Sequence, residues 1–333
     1  MLYYAKRSEN LILKKQSVNY NYIGLQALYE RLSNDHPLKD LIQSKILSAK
    51  AGIKGEKNVE SIFNKYTFSF EYAVLLDLNL SFNGKFQVDA LFITRHYILI
   101  LESKNIIGEL SFERDPLFLR RVLESGQVDV YESPEVQLER NINFLKKWLK
   151  AKGMDIPVTG AIILGSTKSR VIKSPRVSPI MYPTSIPNFI WGHSRKETYL
   201  SLEQYHQLNN MLMNSHEHYC PYPMCETWGI ETKDLITGVQ CPCCSRFGMI
   251  KIKAGWHCEW CSQVNRKAHE KAITDWFVLV KDQMNNKECR EFLKLNSQQT
   301  TLRIIKSMNL KEYGANKKTY YKLDRQEFDN RLV

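Results

Sequence analysis

The chain has 333 residues, 43% of them hydrophobic, and its lysines and arginines exceed its aspartates and glutamates by twelve. This length predicts two or three domains, with ample apolar residues for buried cores. The basic excess favours a polyanionic partner such as nucleic acid, and a soluble protein with an ordinary basic surface is the alternative.

The N-terminal residues, 1–15, lack the apolar region of a signal peptide, and no apolar stretch reaches the roughly eighteen residues that a membrane span needs. We therefore expect a cytoplasmic protein with no membrane partner. The cysteines cluster in the last third of the chain, some as CxxC pairs. In a reducing compartment this pattern favours metal ligation over disulfides.

The predicted elements follow an order typical of an α/β domain that ends near residue 218. Residues 19–66 have apolar side chains at helical spacing, with a break at 35–37, and form a helical lead-in. The elements predicted after it are strands at 71–80, 86–94 and 97–104, further strands within 105–131, a helix at 134–150, a strand at 158–165, a proline-rich connection at 174–187 and a helix at about 202–213.

Two carboxylates are predicted to face each other on neighbouring strands. If residues 86–94 and 97–104 form a hairpin that turns at Arg95-His96, Asp89 lies opposite Glu102, and Lys104 projects to the same side as Glu102. Opposed like charges destabilise a sheet unless a cation lies between them, and Mg²⁺ prefers carboxylates, water and phosphate oxygens. The alternative is that both acids are exposed on a polar face of the sheet.

A third carboxylate comes from a helix predicted to open at 52–60. Glu56 falls about 60° from the centre of its apolar stripe and Glu60 about 100° away, so Glu56 is the one expected to face the sheet. The alternative is that both glutamates are solvated in the first helical turn, where the helix dipole favours them.

Together these residues resemble the NERD (nuclease-related domain) family of the PD-(D/E)xK nuclease superfamily. The residues that carry the resemblance are Gly55-Glu56, Gln87-Val88-Asp89, Ile100-Leu101-Glu102-Ser103-Lys104-Asn105, Gly108 and Ser133-Pro134-Glu135-Val136-Gln137. The resemblance covers about residues 50–150. This chain has Val88 and Ser103 where the family usually has isoleucine and threonine, and the family's tryptophan after the lysine is not evident.

The resemblance implies a restriction-endonuclease-like core, a mixed central sheet flanked by helices. It implies that Asp89 and Glu102 bind Mg²⁺ or Mn²⁺ and that Glu56 completes the site directly or through water. Lys104 would orient the attacking water or stabilise charge in the transition state, and Gln137 would touch the water or the DNA backbone. For Gln137, an ordinary polar helix residue is the alternative.

Two CxxC pairs predict a structural zinc ribbon. Cys241, Cys244, Cys258 and Cys261 have the spacing of a closed tetrahedral site, which leaves no open position for chemistry. The alternatives are Cys243 in place of Cys244, His257 as a ligand, and a thioredoxin-like role for one CxxC. A second metal site is a further alternative, and its residues would be His216, His218, Cys220 and Cys225.

The last segment predicts a winged helix-turn-helix, with helices at 267–280, 286–295 and 298–308 followed by a basic hairpin at 311–323. In that fold the third helix enters the major groove of DNA and the wing contacts phosphates. The predicted DNA-binding residues are Gln298, Gln299, Thr301 and Arg303 in the helix and Lys317, Lys318 and Lys322 in the wing. A helical packing domain with a solvated basic face is the alternative.

The resulting prediction is a metal-dependent DNA endo- or exonuclease of α/β class. Its domains are a helical lead-in (1–50), a NERD nuclease-like domain (51–218), a zinc ribbon (219–265) and a winged-helix-like DNA-binding domain (266–333). The expected substrate is DNA, most simply duplex, and a homodimer is left open. The alternatives are a non-catalytic DNA-binding regulator or scaffold, and a zinc-dependent RNA-binding module.

Overall fold

The computed structural model describes residues 12–82 and 84–324, except for the side chain of Lys317. The chain divides into two compact units. The first contains Met1–Ser17, as far as it is described, and Lys50–Tyr219; the second contains Val18–Ala49 and the chain from Cys220 onward. No helix in the described part is both long and apolar enough to cross a membrane.

Helices and strands occur in both units. The helices are α1 (Tyr20–Arg31), α2 (Lys39–Lys65), α3 (Pro134–Ala151), α4 (Ile186–Gly192), α5 (Leu202–Asn214), α6 (Met224–Trp228), α7 (Ala268–Leu279), α8 (Asn286–Leu293) and α9 (Gln298–Ser307). The strands are β1 (Ile12–Lys14), β2 (Ala73–Ser81), β3 (Lys85–Ile93), β4 (Ile98–Lys104), β5 (Gly108–Arg114), β6 (Leu117–Val122), β7 (Val128–Glu132), β8 (Val158–Leu164), β9 (Ser169–Lys173), β10 (Ile180–Met181), β11 (Ile250–Ile252), β12 (Gly255–His257), β13 (Val264–Asn265), β14 (Lys311–Tyr313) and β15 (Tyr320–Lys322).

The first unit is built on a mixed six-stranded sheet of order β1-β2-β3-β4-β8-β10. Strands β2, β3 and β4 are antiparallel, whereas β8 runs parallel to β4 and β1 parallel to β2. The central strands are apolar along most of their length because both faces of the sheet are covered. One face packs against α3, α5 and a second sheet of order β7-β6-β5-β9, and the other against α2 and α4.

The predicted hairpin register is confirmed. Strands β3 and β4 pair Ala90 with Leu101 and Ile93 with Ile98. The ladder ends at Ala90 and Leu101, one position before Asp89 and Glu102, in the register that was predicted. The turn closes with a hydrogen bond from the Thr94 backbone N–H to the Tyr97 carbonyl, as expected for a turn at the two residues between them.

Asp77 interrupts the alternation of side chains on β2. It has a φ of +50°, and the β2–β3 ladder omits the pair of Asp77 with Asp89. Leu75 and Leu78 face the same core, although a regular strand would place residues three apart on opposite faces. The residues of β2 that face this core therefore change from odd to even positions at Asp77, and those of β3 change at Asp89.

Helix α2 departs from the sequence prediction, because it is continuous from Lys39 and does not open at 52–60. Glu56 therefore lies in mid-helix and not in a first turn. Residues 1–50 also do not form one helical element: Ile12–Lys14 is an edge strand of the first unit, and α1 belongs to the second. The proline-rich connection at 174–187 contains β10 and the start of α4.

Gly55 allows α2 to approach the ends of β4 and β8 closely. A Cβ atom at Gly55 would lie 2.9 Å from Ser103 Oγ and 3.0 Å from Asn105 Cβ, and one at Gly165 would lie 2.9 Å from Gly55 Cα. The crossing is fastened by the Asn105 side chain, which donates to the Ala51 carbonyl at 2.8 Å. This contact brings Glu56, the next residue, to the sheet.

The second unit contains α1, α6 to α9, a three-stranded sheet (β11-β12-β13) and the hairpin β14–β15. The segments predicted as a separate ribbon (219–265) and helical domain (266–333) share one hydrophobic core, in which Trp256 and Cys258 pack with Ile273, Phe292 and Ile305. Helix α1 is joined to α7 by a buried ion pair, Arg31 Nε to Asp275 Oδ2 at 2.7 Å.

We expect Gly55→Ala to destabilise the protein by about 1–3 kcal/mol, because overpacking at the crossing outweighs the gain of about 1 kcal/mol in helix propensity. Gly52→Ala is the matched control, since a Cβ there meets nothing within 4 Å, and it should raise stability. Thermal unfolding followed by circular dichroism measures both. Equal shifts in Tm for the two variants would contradict the close approach.

Candidate active site and cysteine cluster

Asp89 and Glu102 lie side by side at the ends of two adjacent strands of the central sheet. Glu102 is fully buried and Asp89 is half-buried. The Ser103 backbone N–H donates to Asp89 Oδ2 at 2.8 Å, which shows that the Asp89 side chain reaches across to β4. The polar-face alternative is wrong for Glu102, because its carboxylate has no exposed surface.

Lys104 is held between two acceptors. Its ammonium donates to Glu102 Oε1 and to Gln137 Oε1, each at 2.8 Å. Glu102 and Lys104 share a side of β4 because they are two residues apart. Gln137 reaches the site from the first turn of α3, which begins at Pro134 and is capped by Ser133.

Glu56 approaches the same site from α2, where the Gln16 side-chain amide donates to its carboxylate. Burial raises the pKa of Glu56 to about 7, with Asp77 and Glu102 adding to the rise and Lys104 opposing it. Asp77 on β2 and Glu102 on β4 therefore favour the protonated, neutral form of Glu56, as its burial does.

The site holds more acidic than basic groups. Burial, followed by repulsion from Glu102, raises the pKa of Asp89 well above its ordinary range, although Lys104 and the Ser103 N–H oppose this. Burial by itself would lower the pKa of Lys104, but attraction to Glu102 and Asp89 raises it overall. Such an excess of carboxylate at partly buried positions favours binding of a cation.

Asp77 is a fourth carboxylate that the sequence analysis missed. Its Oδ1 accepts from the side chains of Asn79 at 3.0 Å and Gln87 at 2.9 Å. Lys14 approaches its other carboxylate oxygen at 3.9 Å and donates to the Leu76 and Asp77 carbonyls at 2.8 Å each. The available signal was a single acid inside the apolar run of β2, a position where a sheet buried on both faces should be apolar.

Asn141 and Gln16 were also missed. Asn141 Nδ2 donates to the Gln87 carbonyl at 2.8 Å and lies 3.5 Å from Glu102 Oε2. It follows Gln137 by four residues, so helical spacing could have placed both on one face of α3. Gln16 left no comparable signal, because only the fold brings it to Glu56.

The donor chemistry fits a hard divalent cation, since Glu56, Asp89 and Glu102 offer only oxygen ligands. Their oxygens do not form a tight group in this conformation. Among the described residues, only the four predicted cysteines form a group of three or more His, Cys, Asp or Glu whose ligand atoms all lie within 4.8 Å of one another. A cation at the acidic site would therefore compete with the protein donors that now bind these carboxylates.

The cysteine group comes from two matching turns. Cys241 accepts from the Ser245 N–H and Cys258 from the Ser262 N–H, each through its carbonyl at 2.9 Å, and both serines have a positive φ near +57°. The sulfur atoms of Cys241 and Cys261 lie 3.6 Å apart, as do those of Cys244 and Cys258.

The sulfur set fits a closed zinc site. Burial raises the pKa of the Cys258 thiol, but N–H groups of Cys261 and Trp260 outweigh it and lower that pKa to about 7, which favours the thiolate. Cys243 is exposed, and neither it nor His257 belongs to the group. Within the described part of the chain, the alternative set of His216, His218, Cys220 and Cys225 does not form such a group.

The three predicted helices and the hairpin at the end of the chain are present. Gln298, Gln299 and Arg303 on α9 are exposed. The prediction that Thr301 contacts DNA is wrong. Thr301 is fully buried and its hydroxyl donates to the Ser297 carbonyl, so it cannot face a ligand.

In the hairpin, Lys318 is exposed, and Lys322 forms an ion pair with Asp282 at 2.5 Å. The side chain of Lys317 lies outside the described residues. The hairpin therefore offers less free basic charge than its sequence suggests.

The raised pKa of Glu56 predicts a pH-dependent stability in buffer without divalent metal. Because the folded state holds this proton more tightly than the unfolded state, stability falls as pH rises from about 4.5 to about 7 and the full cost remains above that. We expect Glu56→Gln to stabilise the protein at about pH 8 by on the order of 1–3 kcal/mol, and hardly at all at pH 4. Glu60→Gln, one turn further along α2, is the control in thermal unfolding and should shift Tm equally at both pH values. A gain for Glu56→Gln that does not change with pH would contradict the assignment.

The comparisons with known proteins identify one region of the chain. Residues 51–165, about a third of the chain, match the family model of the nuclease-related domain, NERD. The matched region contains Glu56, Asp89, Glu102, Lys104 and Gln137. No curated protein matches the chain, and no solved structure does. The acidic site therefore lies inside the matched region, and the cysteine cluster and the last three helices lie outside it.

Proposed function

We propose that the protein is a Mg²⁺- or Mn²⁺-dependent nuclease that hydrolyses phosphodiester bonds in DNA. The observation that carries this proposal is the position of Lys104, whose ammonium is held between Glu102 and Gln137 beside Asp89. The match of residues 51–165 to a nuclease-related domain supports it. The mixed sheet with helices on both faces is consistent with a PD-(D/E)xK core.

Asp89, Glu102 and Glu56 would hold the metal ion. The bound metal would supply a nucleophile from water at neutral pH and neutralise the scissile phosphate. A substrate phosphate is repelled by these carboxylates when no cation is present, so the cation is required for the substrate to enter as well as for the reaction.

Lys104 places a positive charge where negative charge develops on the phosphate oxygens. Fixed charges of this kind accelerate reactions because they need no reorganisation in the transition state. Gln137 and Glu102 act on Lys104 by fixing the direction of its side chain. Asn141 in turn restrains Glu102 from the next turn of α3.

The second unit would bind the DNA. Four cysteines would hold a structural Zn²⁺, and α7 to α9 with the hairpin would form a winged helix-turn-helix. Gln298, Gln299 and Arg303 are the exposed positions of α9 that could reach base edges, and Lys318 with Lys322 could contact phosphates.

The second candidate function is a DNA-binding regulator or scaffold that retains a nuclease fold without turnover. It is favoured by the fact that the oxygens of Glu56, Asp89 and Glu102 do not converge within 4.8 Å. The raised pKa of Asp89 and Glu56 opposes it, because a purely structural site would have its carboxylates neutralised by its own basic groups.

We expect Asp89→Ala and Glu102→Gln to reduce cleavage of DNA in Mg²⁺ or Mn²⁺ by at least about 100-fold and to weaken Mn²⁺ binding. Glu109→Ala is the matched control, since Glu109 is an exposed acid on β5 in the same unit. Supercoiled, linear and single-stranded DNA should be tested, with calorimetry for Mn²⁺ and thermal unfolding to verify the fold. Equal residual cleavage by all three variants would contradict the site, and absence of cleavage by the wild-type protein on every substrate would favour the second candidate.

We expect about one zinc ion per chain, measured by elemental analysis of the purified protein. Cys244→Ser and Cys258→Ser should lose the zinc and lower the Tm, because each removes one of the four sulfur ligands that would join the two turns. Cys243→Ser should keep the metal, since this cysteine is exposed beside the cluster. Zinc loss on Cys243→Ser with retention on Cys244→Ser would reverse the ligand assignment.

A further inference from the structure

Trp260 is an exposed tryptophan in the second turn of the cysteine cluster. Its side chain is 67% exposed, although indole rings are usually buried. The guanidinium of Arg246, from the first turn, lies over the ring at 4.5 Å from its centroid. The two turns that carry the cysteines therefore also hold an arginine and a tryptophan in a stacked pair.

Apart from its stacking with Arg246, this tryptophan takes no part in the core of its unit. Trp256 and Trp276 belong to the core of the same unit, and their ring N–H groups donate to His269 and to the Gln283 carbonyl. Trp260 is not among the described residues of that core. The core of the unit is formed without it, so most of the ring is open to a ligand.

Apolar side chains lie at the same end of the ribbon. Ile250 pairs with His257, and His257 with Val264, in the row of the sheet nearest to both turns. Ile250 is 47% exposed and Val264 is 41% exposed. We call the stacked pair of Trp260 and Arg246 the Trp260 platform, and Ile250 and Val264 flank His257, the residue before the second turn.

The surrounding charge selects the kind of ligand. From residue 239 to residue 267 there are five lysines and arginines and one acid, and the excess stays positive by about two charges after Zn²⁺ with four thiolates is counted. A basic surface that also exposes an aromatic ring and aliphatic side chains is complementary to a chain of phosphates that carries flat apolar groups. Unpaired nucleic acid has this composition, whereas a duplex hides the faces of its bases by stacking them on one another.

We infer that the Trp260 platform binds single-stranded nucleic acid. An unpaired base stacks on the face of the Trp260 ring that Arg246 leaves open, and the guanidinium contacts the phosphates beside it. This inference rests on the proposed function in one respect: it names unpaired DNA, at ends, gaps or unwound segments, as the substrate class that the nuclease would receive.

The test measures binding by the full-length, zinc-loaded protein in buffer without added Mg²⁺ or Mn²⁺, so that cleavage does not contribute. The probes are a fluorescein-labelled DNA strand of about 20 nucleotides without self-complementarity and the duplex formed with its complement, read by fluorescence anisotropy. We expect Trp260→Ala to weaken binding of the single strand by about tenfold or more and of the duplex by less than about twofold. Trp260→Phe should recover most of the single-strand affinity.

Trp191→Ala is the matched control, because Trp191 is 47% exposed but lies in the other unit, and it should leave both affinities unchanged. Zinc content and thermal unfolding verify that each variant is folded. Unchanged single-strand affinity of Trp260→Ala would overturn the inference. If Trp260→Ala weakens binding of strand and duplex equally, the platform is only a general basic surface and the inference is wrong. If the wild-type protein binds neither probe at low salt, nucleic acid is excluded as the ligand and a protein partner takes its place. Because these measurements need no cleavage, they separate a failure of the platform from a failure of the proposed nuclease site.

Discussion

The acidic site depends on one buried interaction, the ion pair between Glu102 and Lys104 at the end of β4. A fully buried carboxylate is costly unless charged and hydrogen-bonded partners compensate for the lost water. Here Lys104 supplies the charge, and Gln137 and Asn141 tie the pair to α3. The position of α3 over the sheet and the direction of the lysine are thus coupled, and neither can change without exposing or unpairing Glu102.

The remaining carboxylates approach this pair from other elements. Glu56 comes from α2, on the face of the sheet opposite to α3, and Asp77 and Asp89 lie where β2 and β3 change their alternation. The left-handed conformation at Asp77 interrupts the alternation opposite Asp89. Strain of this kind in a buried non-glycine residue is found at functional sites, where the surrounding structure stabilises it. Lys14 supplies that stabilisation by binding the two carbonyls on either side of the irregular residue.

The second unit also exposes basic and aromatic side chains, among them Arg246 and Trp260. Its ribbon and helices share one core, so the cysteine cluster stabilises the helices as well as its own turns. The last hairpin contributes less free charge than its lysines suggest, since Lys322 and Lys311 both pair with aspartates. If the inference about the Trp260 platform holds, Arg246 and Trp260 would make the two cysteine-bearing turns, and not only the helices, a surface for nucleic acid.

The sequence alone determined the elements and much of the site. Apolar spacing located the strands and helices, the hairpin register brought Asp89 opposite Glu102, and the two CxxC pairs identified the four clustered cysteines, because each of these features depends on residues close together in the chain. The sequence could not show that Thr301 is buried, that α2 passes through Glu56 without a break, or that Gln16, Lys14 and Asp77 surround the site. These depend on contacts between distant segments, such as the approach of Gly55 to β4. Only the tertiary structure decided them, because local pattern shows which face of an element is apolar but not which other element covers it.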